Sequence, residues 1–114
     1  MSQAKDLACN LISLFFAARL YNNRCACYLK VGNYLGALDD ASTALDLLKP
    51  AVESNAKDHA KALVRRSVAF TELGLPKKAL IELDAAIKIM PDHDGLKSDR
   101  ERLMATIKEM DSEE

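Results

Sequence analysis

Tryptophan is absent from this 114-residue chain, and Phe and Tyr bring the aromatics to only 5%. Any core must therefore be built from Leu, Ile, Val and Ala. Gly occurs four times and Pro three times, and β-branched runs are few. That leaves little for a sheet to grow from, whereas the abundant Ala, Leu, Lys and Glu favour helix. Neither sign of charge dominates, since 16 basic residues face 17 acidic ones for a net charge of −1. Such a balance gives no bulk attraction to nucleic acid or to an anionic membrane, and neither is expected as a partner. Cys9, Cys25 and Cys27 cannot all pair and lack a C-x-x-C spacing, which points to a reduced, cytoplasmic chain. The apolar stretch Leu7–Ala18 contains Asn10, follows Asp6 and falls well short of the ~20 residues of a membrane helix. It is expected to be a buried helix rather than a leader or an anchor.

What is present is 49% hydrophobic and 29% charged, the balance of one folded domain. It also contains a repeat. Residues 18–48 and 60–89 share one skeleton, with Tyr21/Leu63, Cys25/Ser67, Tyr28/Phe70, Gly32/Gly74, Ala37/Ala79 and Ala44/Ala86 in a single register. Six matches in one frame are the signature of stacked helix pairs. Gly32 and Gly74 each end a first helix, where a left-handed residue is least costly as Gly. Second helices start near Asn33 and Pro76, and proline suits a first turn because its missing N–H has no partner there. Cys25, Ala37 and Ala44, like Ser67, Ala79 and Ala86, are small enough for two backbones to approach. Tyr28 and Phe70 are the large knobs between them.

The two glycines stand 42 residues apart, longer than a tetratricopeptide repeat of about 34. The surplus falls in Lys49–Asp58, where Pro50 ends the preceding helix. The chain thus divides into an N-terminal helix (1–17), a repeat (18–50), a long connection (51–59), a second repeat (60–91) and a capping helix with an acidic tail (92–114). Asp94 is expected to cap the last helix, and Leu96, Leu103, Ile107 and Met110 form its apolar stripe, flanked by Met104. At the other end, Leu7, Leu11, Leu14 and Phe15 share a helical face. No Gly or Pro precedes Val31, so this segment is either the remnant of an earlier repeat or continuous with the next helix. Continuity would leave an apolar face exposed and prone to self-association.

Tyr21-Asn22-Asn23-Arg24 and Lys61-Ala62-Leu63-Val64-Arg65 carry the candidate chemistry. Asn23 and Arg65 occupy the same repeat position, and Lys61 lies one turn before Arg65 on the same face. A guanidinium fork, an ammonium and an amide together suit carboxylates, each charge-assisted bond contributing ~1.5–3 kcal/mol when partly desolvated. The pattern resembles the tetratricopeptide-repeat co-chaperones, all-α right-handed solenoids that clamp the acidic C-terminal tails of cytosolic heat-shock chaperones. That resemblance implies carboxylate-binding roles for Asn23, Lys61 and Arg65, and partners among the seventy- and ninety-kilodalton chaperone classes. Full clamps draw a further Lys and Asn from a preceding repeat. Lys5 and Asn10 are out of register for this, so a partial, weaker clamp is expected.

From Leu20 to Met110 the chain is also similar to the helical-repeat region of co-chaperones that preassemble axonemal dynein arms for cilia. The shared features are Ala44-Leu45, Leu47-Leu48-Pro50, the long connection and Lys61-Ala62, Val64-Arg65-Arg66. The β-sandwich CS domain of that family has no counterpart in this sequence. The resemblance implies a binding role among dynein assembly factors, with no catalysis and no cofactor. The alternative is a scaffold that packs on a partner through the apolar N-terminal helix. Asp92-His93-Asp94 reads as helix capping rather than a metal site, and Arg66, Lys77 and Lys78 are expected to face solvent.

Overall fold

The computed structural model describes residues 2–49 and 53–112, with side chains placed for 12–49 and 54–112. Five α-helices lie among them: α1 (Ser2–Val31), α2 (Tyr34–Leu47), α3 (Ala56–Glu72), α4 (Pro76–Ile89) and α5 (Asp94–Ser112). A single 3₁₀ turn, Glu53–Asn55, leads into α3. Successive helices pack in pairs, α1 on α2 and α3 on α4, with α2 against α3 and α5 closing over α4. This is the all-helical, tetratricopeptide-type architecture that the repeat predicts.

Both helix pairs turn in the same way. Gly32 and Gly74 take φ of 81° and 79°. The following residue then donates to the knob's carbonyl, Asn33 to Tyr28 at 2.9 Å and Leu75 to Phe70 at 2.8 Å. The glycines themselves donate to Leu29 (3.3 Å) and Thr71 (3.1 Å), which completes a Schellman closure twice. Asn33 then caps α2, its Oδ1 accepting from the Gly36 N–H at 3.0 Å, while Pro76 opens α4 in its first turn.

The six small residues of the register, Cys25, Ala37, Ala44, Ser67, Ala79 and Ala86, are all buried. Cys25, Ala37, Ala41 and Ala69 form one cluster flanked by Tyr28 and Leu29. Ala44, Leu45, Ala62, Leu63, Ala79, Leu83 and Ala86 form the other, closed by Leu96 and Leu103 of α5. Burial pushes the Cys25 thiol up, so it acts as a small hydrophobe. Ile107 packs at the margin of this core, whereas Met104 and Met110 are exposed.

Several expectations change. The N-terminal segment is continuous with the first repeat helix, because nothing before Val31 breaks it. It is therefore not a buried helix throughout: Ala18 is buried, but Ile12, Leu14 and Phe16 are exposed. The side chains of Lys5, Leu7, Cys9, Asn10 and Leu11 lie outside the described residues, as does Pro50. α3 starts at Ala56, within the stretch read as a connection. There Asn55 turns its amide back to the Leu48 carbonyl at 2.9 Å, tying the end of α2 to the start of α3. Asp94 is the first residue of α5 rather than its cap; His93 Nδ1 accepts from the Leu96 N–H at 3.3 Å.

Arg66 does not face solvent. It meets Glu82 through two nitrogens at 2.9 Å and reaches Ser42 at 3.2 Å. Arg24 grips the buried Asp40 in the same two-pronged way, both contacts at 2.7 Å, and lies 5.5 Å from the rings of Tyr21 and Tyr28. These pairs hold equivalent positions in the two repeats. Arg100 and Asp84 (2.7 Å) tie α5 to α4.

Two stability predictions follow from these features. A Cβ at Gly74 meets no atom within 4 Å, so Gly74→Ala bears only the left-handed backbone penalty. Urea titration should show a loss of about 1–2 kcal/mol, with a smaller one for Gly74→Asn. Burial, reinforced by Arg66 and Lys49, holds His59 below the usual imidazole range, and its Nδ1 is buried without a partner. The unfolded chain gains a proton near pH ~6.5 that the fold resists until lower pH. Stability should therefore fall as pH drops from about 6.5 toward the lower folded value, and His59→Gln should flatten that fall in pH-dependent urea melts.

Candidate functional site

α1 and α3 are the first helices of the two pairs, and they are in contact with each other. Asn22, buried in α1, holds them together twice. Its backbone carbonyl accepts from Arg65 Nη1 at 2.8 Å, and its side-chain amide reaches the Asp58 carbonyl at 3.4 Å. Beside this seam lies a polar hollow of about 260 Å³ lined by Arg19, Asn22, Asn23, Asp58, Lys61 and Arg65. The three residues singled out from sequence, Asn23, Lys61 and Arg65, thus line one concavity. Asn23 and Lys61 are exposed, and Arg65 is half-buried.

Two further residues change its electrostatics. Arg19 stands 42 residues before Lys61, at the same repeat position. It adds a third cation to the hollow and went unnoticed because the repeat frame was not extended to it. Asp58, in the first turn of α3, faces Arg19 Nε at 3.3 Å. An internal carboxylate therefore already occupies one cation. Arg65 is oriented by the Asn22 carbonyl, a bond that engages one of five guanidinium N–H donors.

A second, larger hollow of about 560 Å³ adjoins the first and shares Lys61 and Arg65. It is walled by Ala60, Val64, Met90 and Leu96, with Lys57, His93 and Asp99 around them. The pair of hollows offers cations beside an apolar surface, the combination that holds an acidic peptide with aliphatic side chains. Among the described residues no group of three His, Cys, Asp or Glu side chains is placed to hold a metal ion. None of the described helices is long and apolar enough to cross a membrane.

Paired helices with Schellman turns, small-residue contacts and a polar concavity across successive first helices define a tetratricopeptide-type repeat module. The chain is homologous to dynein axonemal assembly factor 4, being 44% identical to the Rattus norvegicus protein over 84 residues, 74% of this chain and 20% of that one. Protein unc-45 homolog B of Xenopus tropicalis is 37% identical over 92 residues (81% of this chain, 9% of that protein). Sperm-associated antigen 1 of Rattus norvegicus is 39% identical over 70 residues (61% and 7%). The chain spans about a fifth of the length of the dynein assembly factors it matches. No protein-family model matches.

Proposed function

We propose that the hollow between α1 and α3 binds acidic C-terminal tails of the seventy- and ninety-kilodalton heat-shock chaperones. In this reading the chain is a binding module, not an enzyme, and acts with other dynein assembly factors in the cytoplasmic assembly of axonemal dynein arms. The observation that carries the proposal is charge segregation. In a chain of net charge −1, Arg19, Lys61 and Arg65 converge on one small concavity with Asn23. The resemblance of Tyr21–Arg24 and Lys61–Arg65 to the co-chaperone clamp supports the chemistry. The dynein assignment rests on homology to a protein named as an axonemal dynein assembly factor.

Arg65 and Lys61 take the terminal carboxylate and Asn23 donates its amide, while Arg19 exchanges Asp58 for an acidic side chain of the tail. The aliphatic residue of the tail lies in the adjoining hollow. A second reading, a scaffold that packs on a partner through α1, draws support from the exposed Ile12, Phe16 and Leu20. Salt separates the two, because ion pairing weakens with ionic strength and apolar contact does not.

Calorimetric titration with a peptide ending Glu-Glu-Val-Asp tests the clamp. Binding should weaken with added salt, and Lys61→Ala with Arg65→Ala should abolish it while the helical circular dichroism is unchanged. An unaltered affinity in that double variant would remove the clamp. Asp58→Asn should do the opposite and tighten binding several-fold, since the peptide no longer competes with an internal carboxylate for Arg19 (an effect of ~0.5–1 kcal/mol for an exposed pair).

A further inference from the structure

α3 packs on α4 and α4 on α5, and α3 and α5 stand as the two walls of a groove. The larger hollow beside the candidate site lies at one end of this groove, where Lys57 joins Lys61 and Arg65. Val64 and Asp99 line that hollow and also a further one of about 280 Å³, which carries the groove toward the end of α3. There Val68, 42% exposed, offers an apolar wall. Two carboxylates, Glu72 and Asp99, line this far hollow with the single cation Arg102. Asp99 and Arg102 pair with each other. Glu72 is exposed and forms no ion pair among the described residues. The sign of charge along the groove therefore reverses, from Lys57, Lys61 and Arg65 to Glu72. Helix stability does not account for this order. Lys57 is the second residue of α3 and Glu72 the last, and each opposes the helix dipole, which favours anions in the first turn and cations in the last.

We propose, resting on the chaperone-tail clamp at Lys61 and Arg65, that the far hollow selects a basic residue upstream of the acidic terminus. The groove then takes a peptide that is acidic at its end and basic a short way before it. Lys61 and Glu72 are eleven residues apart, about 16 Å along a helix. An extended peptide advances about 3.3 Å per residue, so the selected side chain stands about five places before the terminal residue. Lysine or arginine fits there by its two halves. The methylene stem lies along Val68 while the charged head reaches Glu72. An acidic residue in the same place meets an unpaired carboxylate and is rejected.

Calorimetric titration of the whole chain with three peptides tests the selection. One is Glu-Glu-Val-Asp alone, and the others are acetylated Gly-Lys-Ala-Glu-Glu-Val-Asp and Gly-Glu-Ala-Glu-Glu-Val-Asp. The lysine peptide should bind about three- to tenfold more tightly than its glutamate counterpart, the range of exposed ion pairing set against exposed repulsion. Glu72→Lys, at an exposed position where a cation suits the helix end, should reverse that order and leave the affinity for the tetrapeptide unchanged. Equal affinities for the two longer peptides, or an order that Glu72→Lys does not reverse, would overturn the selection while the clamp stands. Should none of the three peptides bind, the clamp itself falls and takes the selection with it.

Discussion

Close backbone approach between helices is the constraint from which the other features descend. Cys25, Ala37, Ala41 and Ala44 in the first pair, and Ser67, Ala79 and Ala86 in the second, are buried. Side chains this small contribute little transfer energy each; what they supply is proximity. With the backbones close, Arg24 reaches the buried Asp40 and Arg66 reaches Glu82, each across a helix pair. A larger residue at Ala37 or Ala79 spreads the pair, lengthens those bonds and leaves Asp40 as a buried carboxylate without its cation, a costly state. The ion pairs are therefore geometric consequences of the alanines, and they lock the two helices of each pair together.

The hollow forms where the first helix of one pair meets that of the next. Asn22 can offer its carbonyl to Arg65 only when α3 lies at a set height along α1. The Asn55 amide on the Leu48 carbonyl fixes that height from the connecting segment. Charge is then distributed by role. Arg24, Arg66 and Arg100 are engaged by carboxylates of their neighbouring helices, whereas Lys61 and Arg65 stand at the concavity with Arg19, accompanied there by the single carboxylate of Asp58. A near-neutral chain can thus present a locally cationic surface, which bulk composition does not reveal.

The repeat made most of this legible. The glycine positions and the six small residues follow from local rules that one sequence satisfies twice. Applied at more positions, the same frame also pairs Arg24 with Arg66 and Asp40 with Glu82. Arg66 was misread because a basic residue taken alone looks solvated. Arg19 was missed because its equivalence to Lys61 appears only when the frame is carried past the Tyr-Asn-Asn-Arg segment. The bond from Asn55 to Leu48 was beyond reach, since it depends on how a segment without periodicity folds back. The capping of α5 by His93 rather than Asp94 turns on one residue of helix phase, the finest distinction a sequence pattern can make.

One helix, α1, faces three environments, and the repeat explains why they differ. Cys25 and Tyr28 turn toward α2, where closeness demands a small residue beside a large one. Asn22 and Asn23 turn toward α3 and the hollow, where amides satisfy backbone groups and line a charged site. The third face has no neighbour among the described residues, and there the sequence departs from its own repeat: Leu20 replaces what is Ala62 in the second copy. Alanine at that position records a helix packed close by. Leucine at 70% exposure stands where no helix packs against α1 among the described residues.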